Sequence, residues 1–578
     1  MKIFSLRKKR RIRFTGWNKQ TYENKRLKFK KNILFFIYIF LLLLNLNSNP
    51  AAKKLPNFYD NVPNEKLAAE IIDNMTDEEL LAQTFMFGWA GQDPGDLLFS
   101  WIEESGLGSI KVFGWNTGDS RKLAKSISIL QKKSLEGRFG IPLFVATDQE
   151  GGWVRHVKGL TSETPGNLAI GASGIPQDSY YSGYYISREI SALGINLNFA
   201  PAVDLLTDHD SSIIGPRSFG DSPHAAGILG AAFVRGSRAA GVLTTAKHFP
   251  GHGDTSIDSH GRLPKIDISE ETFRNRELIP FKYLIDADVP AIMTGHLNFS
   301  SILPNGEPAT FSKYLLMDIL RGELGFKGLI ITDDMMMHGA MNFAGGIAKA
   351  VKLALEAGND IIESSTTPRH YQAFWKDNIK AMKDEPQFKD RVKDAAFRIL
   401  LEKLKYFKSS NHVPIIPDME KLDERIPDKE GQKFFLSLAG RSTTIVRDAD
   451  IPFKPEENGD ILLVSDYKDF FKYGLKRFPK AKIIEVDSAY YHVQNFDTII
   501  FCLSDKYSLS VLQKIMSKYP KKKYIIISVL SPAFLAKVPD AQTAIAIYSY
   551  SPASFTAAFG ALCGDFTPNG KLPISGIK

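Results

Sequence analysis

The stretch KHFPGHGDTSIDSH, residues 247–260, holds three of the eleven histidines of the chain, together with two aspartates and a lysine. Pro250 and Gly251 interrupt it, and both residue types disfavour an α-helix. His248 and His252 have the four-residue spacing of a helical zinc site, but this spacing aligns two side chains only on a helix. We therefore expect a loop here and no metal site.

Asp258 and His260 are the two residues of this loop best suited to moving a proton. They stand two positions apart, so the carboxylate can hydrogen-bond the imidazole, hold the ring and stabilise its protonated form. A histidine held in this way titrates near neutral pH and suits general acid/base catalysis. The alternative is a solvated loop whose polar residues have no catalytic role.

Three further motifs carry groups that could act on a ligand. In ITDDMMM, Asp333 and Asp334 are consecutive, and a buried carboxylate here could attack the anomeric carbon of a sugar; alternatively both acids cap the following helix. In DQEGG, Asp148 could accept hydrogen bonds from two sugar hydroxyls. In GPRSFG, Arg217 could bind an acyl or carboxylate group. The alternative for the last two residues is a structural ion pair.

Eight short apolar segments position these residues, and stretches with helical spacing lie between most of them. This alternation predicts a parallel sheet built as a (β/α)₈ barrel. Five of the eight segments end in polar residues, as expected where catalytic groups lie at the carboxyl ends of barrel strands. The segments are residues 85–90, 108–114, 142–148, 195–204, 242–251, 290–297, 328–334 and 359–364.

A second domain is predicted beyond the barrel. Residues 406–430 are polar and rich in proline, and five apolar runs follow them, which indicates a smaller α/β sandwich. We predict a barrel over residues 53–405, a linker over 406–430 and the sandwich domain over 431–578.

The basic character of the chain is concentrated at its start. Residues 1–31 contain thirteen Lys or Arg and one Glu, so the rest of the chain carries a net charge of −3 within the total of +9. A nucleic-acid partner is therefore not expected. The apolar run Ile33–Leu44 follows, and its twelve residues suit a signal peptide better than a membrane span. For residues 1–52 we expect a signal that exports the protein to the periplasm or outside, or an anchor formed by residues 33–46.

Taken together, the motifs resemble those of the family 3 glycoside hydrolases, and specifically of their β-N-acetylhexosaminidase branch. DQEGGW, TPGNLAIGA, NFAPAVDL, IGPRSFGD, KHFPGHGDTSIDSH, MTGHL and TDDMMM occur in this order over about residues 65–400. The C-terminal stretch YSYSPASFTAAFGALCGDFTPNGKLPIS resembles the end of the second domain of that family.

The resemblance implies a retaining reaction through a covalent glycosyl-enzyme, with no metal and no cofactor. It implies that Asp333 is the nucleophile, that His260 is the general acid/base and that Asp258 orients the histidine. The substrate-binding positions would be Asp148, Arg217, Lys247 and His248. One position departs from the pattern, because His156 stands where the branch usually has an arginine, and Arg155 lies one place early.

These observations predict an exported, monomeric exo-β-N-acetylglucosaminidase that acts on N-acetylglucosamine-containing saccharides or muropeptides. One alternative is a β-glucosidase or xylosidase on the same scaffold. Another is an N-acetylglucosaminide phosphorylase, because a histidine acid/base does not repel phosphate as a carboxylate would. A non-catalytic wall-binding protein is the alternative from a different class.

Overall fold

The computed structural model describes residues 19–46, 55–211, 213–255 and 261–577. The chain divides into two compact units, Met1–Leu55 and Pro56–Lys578. In the described part of the first unit, a helix spans Lys19–Leu46 and includes the apolar run. Within the described ranges, no helix combines the length and the apolar character needed to cross a bilayer.

The second unit begins with an eight-stranded parallel barrel, which confirms the predicted fold. Sheet order follows chain order, and the last strand pairs with the first. A bridge between Ile331 and Ile361 joins the seventh and eighth strands, so the sheet nearly closes on itself. The strands are β1 Phe85–Phe87, β2 Ser109–Val112, β3 Phe144–Thr147, β4 Leu197–Asn198, β5 Leu243–Phe249, β6 Ala291–Thr294, β7 Leu329–Thr332 and β8 Ile362–Ser364.

Helices surround this barrel, and its strands are buried on both faces. Every strand residue except Leu243 is buried, as is usual for a parallel sheet that helices cover. The helices up to the end of the barrel are Asn64–Asn74, Asp77–Gln83, Asp96–Glu103, Ser120–Leu135, Asn167–Ser173, Pro176–Ala192, Pro223–Ala239, Glu270–Thr272, Phe273–Glu277 (π-helical), Leu278–Asp286, Tyr314–Glu323 (π-helical), His338–Ala344, Ile347–Ala357, Ala373–Asp384 and Pro386–Phe407.

A smaller six-stranded sheet forms the second α/β domain and also agrees with the prediction. Its strands are β9 Thr444–Asp448, β10 Ile461–Val464, β11 Lys482–Ile484, β12 Thr498–Leu503, β13 Lys523–Ser528 and β14 Thr543–Ala546. Their order in the sheet is β9-β14-β13-β12-β10-β11; the edge strand β9 is antiparallel to its neighbour, and the other pairs are parallel.

Alternate residues of this smaller sheet enter two different apolar clusters. In β12, Ile499 and Phe501 belong to one cluster, whereas Ile500 and Cys502 belong to the other. Side chains alternate between the faces of a strand, so helices must cover both faces. The helices after the barrel are Leu422–Arg425, Lys429–Ser442, Lys468–Arg477, Val486–His492, Lys506–Lys518 and Pro552–Leu562.

Candidate active site

Polar side chains from seven barrel strands or the loops after them meet at the carboxyl ends of the strands. Lys247, in β5, lies at the centre of this cluster. Its Nζ is 2.5 Å from Oδ1 of Asp148, which follows β3, and 2.7 Å from Oε1 of Glu150. Burial would raise the pKa of Asp148, but Lys111 and Lys247 hold it well below its ordinary value. Asp148 is therefore an ionised, buried acceptor that suits the binding of ligand hydroxyl groups.

Lys247 and His248 both reach the cluster although they are neighbours in β5. Successive side chains of a regular strand point to opposite faces. The register between β5 and β6 shifts between Ala246 and Phe249, so this alternation is interrupted at the two residues that need to act together. The peptide bond between Lys247 and His248 is cis.

Arg217 enters the cluster from the loop after β4. It lies in the short 3₁₀ turn Gly215–Arg217 and makes two hydrogen bonds to Glu150, of 2.9 and 2.7 Å. Its Nη2 is also 3.3 Å from Nε2 of His248. The paired bonds to a buried carboxylate hold the guanidinium in one orientation at the site.

His248 connects Asp204 to Asp333. Its Nδ1 is 2.7 Å from Oδ2 of Asp204, and its Nε2 is 4.0 Å from Oδ2 of Asp333. Asp204 also accepts hydrogen bonds from the backbone N–H groups of His248 and His252. Asp204 therefore orients the imidazole and also holds the start of the loop that follows β5.

Asp333 and Asp334 lie side by side after β7 and have different surroundings. Asp334 accepts backbone hydrogen bonds from Met336 and Ser365, so its carboxylate holds two loops. The side chain of Asp333 remains 19% exposed, whereas that of Asp204 is fully buried. Asp333 thus combines a position beside His248 with partial exposure, whereas the carboxylate of Asp334 is engaged in holding loops.

The carboxylate of Asp333 is ionised over the whole physiological range of pH. Burial would raise its pKa, but His248, His296 and Lys111 together with the backbone N–H of Asp334 lower the pKa to about 2. A carboxylate ionised in this way can attack an electrophilic carbon, and the hydrogen-bonding groups beside it can hold a ligand with many hydroxyls.

Several residues of the cluster were not expected as site residues from the sequence. Lys111, in β2, has its Nζ 3.1 Å from Asp148 and 3.4 Å from Glu363 in β8. Burial, together with the neighbouring Asp334, Asp333 and Asp148, raises the pKa of Glu363, and Lys111 opposes this. The signal available in the sequence was a charged residue within each of two apolar segments, Lys111 in GSIKVFG and Glu363 in NDIIES. Glu150, Asp204 and His296 also belong to the cluster, and Asp204 and His296 lie at the polar ends of two of the eight apolar segments.

His156, which stands where the resemblance led us to expect an arginine, does contact the cluster. Its Nδ1 is 3.6 Å from Oδ2 of Asp148, and its ring lies 5.5 Å from that of Phe113. Arg155 points elsewhere and donates hydrogen bonds to the Thr161 carbonyl and to Glu163. The position one residue after Arg155 is thus the one that faces the site.

The predicted pair Asp258 and His260 lies outside the described residues, which end at Thr255 and resume at Gly261. Asp254, which lies just before this segment, is held in place by a neighbouring arginine. Asp254 forms an ion pair of 2.6 Å with Arg276. Across the parts of the chain that the structure covers, no group of three or more His, Cys, Asp or Glu side chains is arranged to hold a metal ion.

A protein-family model and several known proteins match this chain. The glycosyl hydrolase family 3 N-terminal domain matches residues 79–401. Beta-hexosaminidase A of Pseudoalteromonas piscicida is 32% identical over 336 residues, which cover 54% of this chain and 56% of that protein. A beta-hexosaminidase of Pseudomonas aeruginosa is 39% identical over 221 residues, which cover 38% of this chain and 65% of that protein. The chain thus spans less than two thirds of either relative.

A solved structure extends the similarity to the second domain. The family 3 β-N-acetylglucosaminidase of Paenibacillus sp. str. FPU-7 superposes with a TM-score of 0.77 at 27% identity. The superposition covers 86% of this chain and 99% of that one, so the similarity includes both the barrel and the smaller sheet.

Proposed function

Because the chain belongs to glycosyl hydrolase family 3, we propose that it is a retaining exo-β-N-acetylglucosaminidase. It removes non-reducing terminal N-acetylglucosamine, with peptidoglycan fragments as the substrate class. The observation that supports this most directly is Asp333, an ionised and partly exposed carboxylate among buried groups suited to binding hydroxyls. The names of the two relatives and of the solved structure support hexosaminide as the substrate.

The first chemical step forms a glycosyl-enzyme. An oxygen of Asp333 attacks the anomeric carbon, the bond from that carbon to the leaving oxygen breaks, and His260 donates the proton that the leaving oxygen needs. In the second step a water molecule attacks the same carbon while His260 takes its proton, and the ester to Asp333 breaks. Two inversions give net retention. The low pKa of Asp333 suits both steps, because it keeps the attacking group ionised and makes it a good leaving group.

The binding groups are held in place before substrate arrives. Asp148, Lys247 and Arg217 are joined through Glu150 and Lys111 into one buried ionic network. Groups fixed in this way lose little freedom when they bind the sugar, which favours catalysis. In this proposal Asp148, Lys247 and His248 bind the hydroxyl groups and Arg217 binds the N-acetyl group.

The test is hydrolysis of an aryl β-N-acetylglucosaminide by the purified protein, with the aryl β-glucoside and β-xyloside as competing substrates. We expect turnover of the first substrate and a loss of about 10³-fold or more in Asp333→Ala. Asp334→Asn is the matched control, because an amide oxygen can still accept the backbone hydrogen bonds, and we expect it to keep most activity. Activity retained in Asp333→Ala would refute the assignment. Formation of a sugar 1-phosphate when phosphate is added would identify a phosphorylase instead.

We also propose that the protein is exported. The basic residues 1–31 and the apolar run Ile33–Leu44 that follows them support this proposal. Fractionation of cells that express the full chain tests it, and N-terminal sequencing of the mature protein distinguishes a cleaved signal from a retained anchor. Activity confined to the cytosolic fraction would contradict export.

A further inference from the structure

A cavity of about 510 Å³ opens beside the site, between the loops that follow β1, β2 and β8. We propose that it binds the aglycone, the sugar ring that leaves when the glycosidic bond breaks, by stacking that ring on Trp115. This inference rests on the proposed glycosidase function. The lining includes Trp89, Leu97, Leu98, Trp115 and Ser365.

One face of the Trp115 ring packs against a neighbouring aromatic ring, and much of the remaining side chain is exposed. One face stacks on Phe113, with ring centroids 4.5 Å apart and an interplanar angle of 4°. Its Nε1–H donates a hydrogen bond of 2.7 Å to the carbonyl of Trp89. Yet the residue is 52% exposed. A large aromatic side chain that is oriented by a hydrogen bond and still exposed is a typical platform for a ligand.

Residues that line the cavity are connected to the site residues on two sides. The backbone N–H of Ser365, which lines the cavity, donates a hydrogen bond of 3.0 Å to Asp334, the neighbour of Asp333. On the other side, Phe113 lies beneath Trp115 and contacts His156, which in turn faces Asp148. The anomeric carbon must lie within reach of Asp333, so an aglycone attached to that carbon lies close to the loop after β8, which lines the cavity and contacts Asp334 through Ser365.

The lining favours a sugar ring over a charged group. It is mainly apolar, and its threonine hydroxyls already have partners: Thr367 donates to the carbonyl of Gly88, and Thr366 lies 3.4 Å from the hydroxyl of Ser364. A pyranose presents a face of C–H groups that can lie against an indole ring, while its hydroxyl groups stay in water at the open side of the cavity.

The test compares a substrate that has an aglycone ring with one that has none. The first is the β-1,4-linked disaccharide of N-acetylglucosamine, and the second is β-N-acetylglucosaminyl fluoride. In Trp115→Ala we expect kcat/KM for the disaccharide to fall about five- to tenfold and that for the fluoride to stay within about twofold. Trp115→Phe keeps an aromatic face, so it should retain most of the disaccharide activity.

A control tryptophan distinguishes this cavity from another one near the site. Trp153 is 39% exposed and lines a separate cavity between the loop after β3 and the second domain. If Trp153→Ala, and not Trp115→Ala, selectively impairs the disaccharide, the inference is wrong. It is also wrong if Trp115→Ala impairs both substrates equally, because that result indicates a purely structural role.

A binding measurement separates the inference from the proposed function. In an Asp333→Asn background, calorimetry gives the affinity for the intact disaccharide, and Trp115→Ala should weaken it about five- to tenfold. If the wild-type protein hydrolysed neither substrate and Trp115→Ala still weakened disaccharide binding, the proposed activity would be wrong and the inference about the subsite would stand. An unchanged affinity in the double variant would overturn the inference.

Discussion

At the scale of single residues, carboxyl groups of the site differ in pKa because their surroundings differ. Asp204, Asp333 and Glu363 are all carboxylates at strand ends, yet burial and charge act on them differently. Neighbouring imidazoles keep the pKa of Asp204 and of Asp333 below its ordinary value, whereas burial and three neighbouring aspartates raise that of Glu363. Of these three described carboxylates, Asp333 is the one that is both ionised and partly exposed, which is what a nucleophile requires.

His260→Ala tests the proton-transfer role at the residue scale. An alkyl or sugar leaving group needs the proton, so we expect kcat/KM for the disaccharide to fall about 10²–10⁴-fold. A nitrophenyl leaving group departs as a stable anion, so its formation of the glycosyl-enzyme should be much less affected. The measurement is kcat/KM for both substrates in parallel. Equal losses would argue against a general acid at this position.

At the scale of elements, the loop after β5 depends on close contact at its base. Gly253 lies directly against the backbone of Leu205, and an added Cβ would come within 1.5 Å of the Leu205 carbonyl oxygen. For Gly261, at the far end of the segment that carries Asp258 and His260, none of the described residues has an atom within 4 Å of such a Cβ. The two glycines therefore differ in what an added methyl group would displace.

Gly253→Ala should displace the loop and lower kcat/KM for the disaccharide about tenfold or more, because misplacing a catalytic group by about 1 Å can cost 10²-fold. Gly261→Ala is the matched control and should change kcat/KM less than about threefold. Steady-state kinetics on both variants, with thermal unfolding to confirm that they are folded, gives the comparison. Similar activities in the two variants would show that the contact with Leu205 does not position the loop.

At the scale of the whole molecule, the C-terminal end of the chain supports the loop that carries Arg217. The Pro573 carbonyl accepts a hydrogen bond of 3.1 Å from the N–H of Asp221, and the Lys571 N–H donates one of 2.9 Å to Ala172. Asp221 also accepts hydrogen bonds from the N–H and the hydroxyl of Ser575. The second domain is thus linked by its tail to a binding loop of the barrel.

Truncation after Gly570 tests this link. Loss of the tail should raise KM for the aryl N-acetylglucosaminide several-fold, with a smaller effect on kcat, because Arg217 binds substrate in the proposed function. Ser575→Ala removes one exposed hydrogen bond to Asp221 but leaves the backbone hydrogen bonds of the tail in place, so it serves as the control with little change in kinetics. A lower melting temperature with unchanged KM would mean that the tail contributes to stability alone.

The pH dependence of stability should reflect the ionisation of Glu277, which is buried beneath the loop after β5. Burial raises its pKa from 4.5 to about 7, although Arg276 opposes the shift. Between pH 4.5 and 7 the unfolded chain loses this proton and the folded protein keeps it, so the folded state becomes progressively less favoured as the pH rises. Above about pH 7 both states are ionised and the effect is constant.

Glu277→Gln removes this titration. The melting temperature of the variant relative to the wild type should therefore increase from pH 4.5 to 7 by about 2–4 °C and then level off. Thermal unfolding at a series of pH values measures this difference. A constant difference across the range would show that Glu277 has an ordinary pKa in the folded protein.

The sequence by itself determined the architecture, and it named five candidate site residues that the fold brings together. Apolar runs of strand length that alternate with helical patterns specify a parallel barrel locally, and all eight barrel strands lie within the predicted segments. Asp148, Arg217, Lys247, His248 and Asp333, named from their motifs, meet in one cluster because the carboxyl ends of barrel strands share one face.

Only the tertiary structure decided how these residues affect one another. Lys111 in β2 and Glu363 in β8 are 252 positions apart in the chain, and no local pattern indicates that closure of the barrel places their charged groups 3.4 Å apart. The exposed platform of Trp115 and the support of the Arg217 loop by Pro573 likewise depend on long-range packing. Local sequence sets which elements form, but pKa values and binding surfaces depend on neighbours that only the complete fold brings into contact.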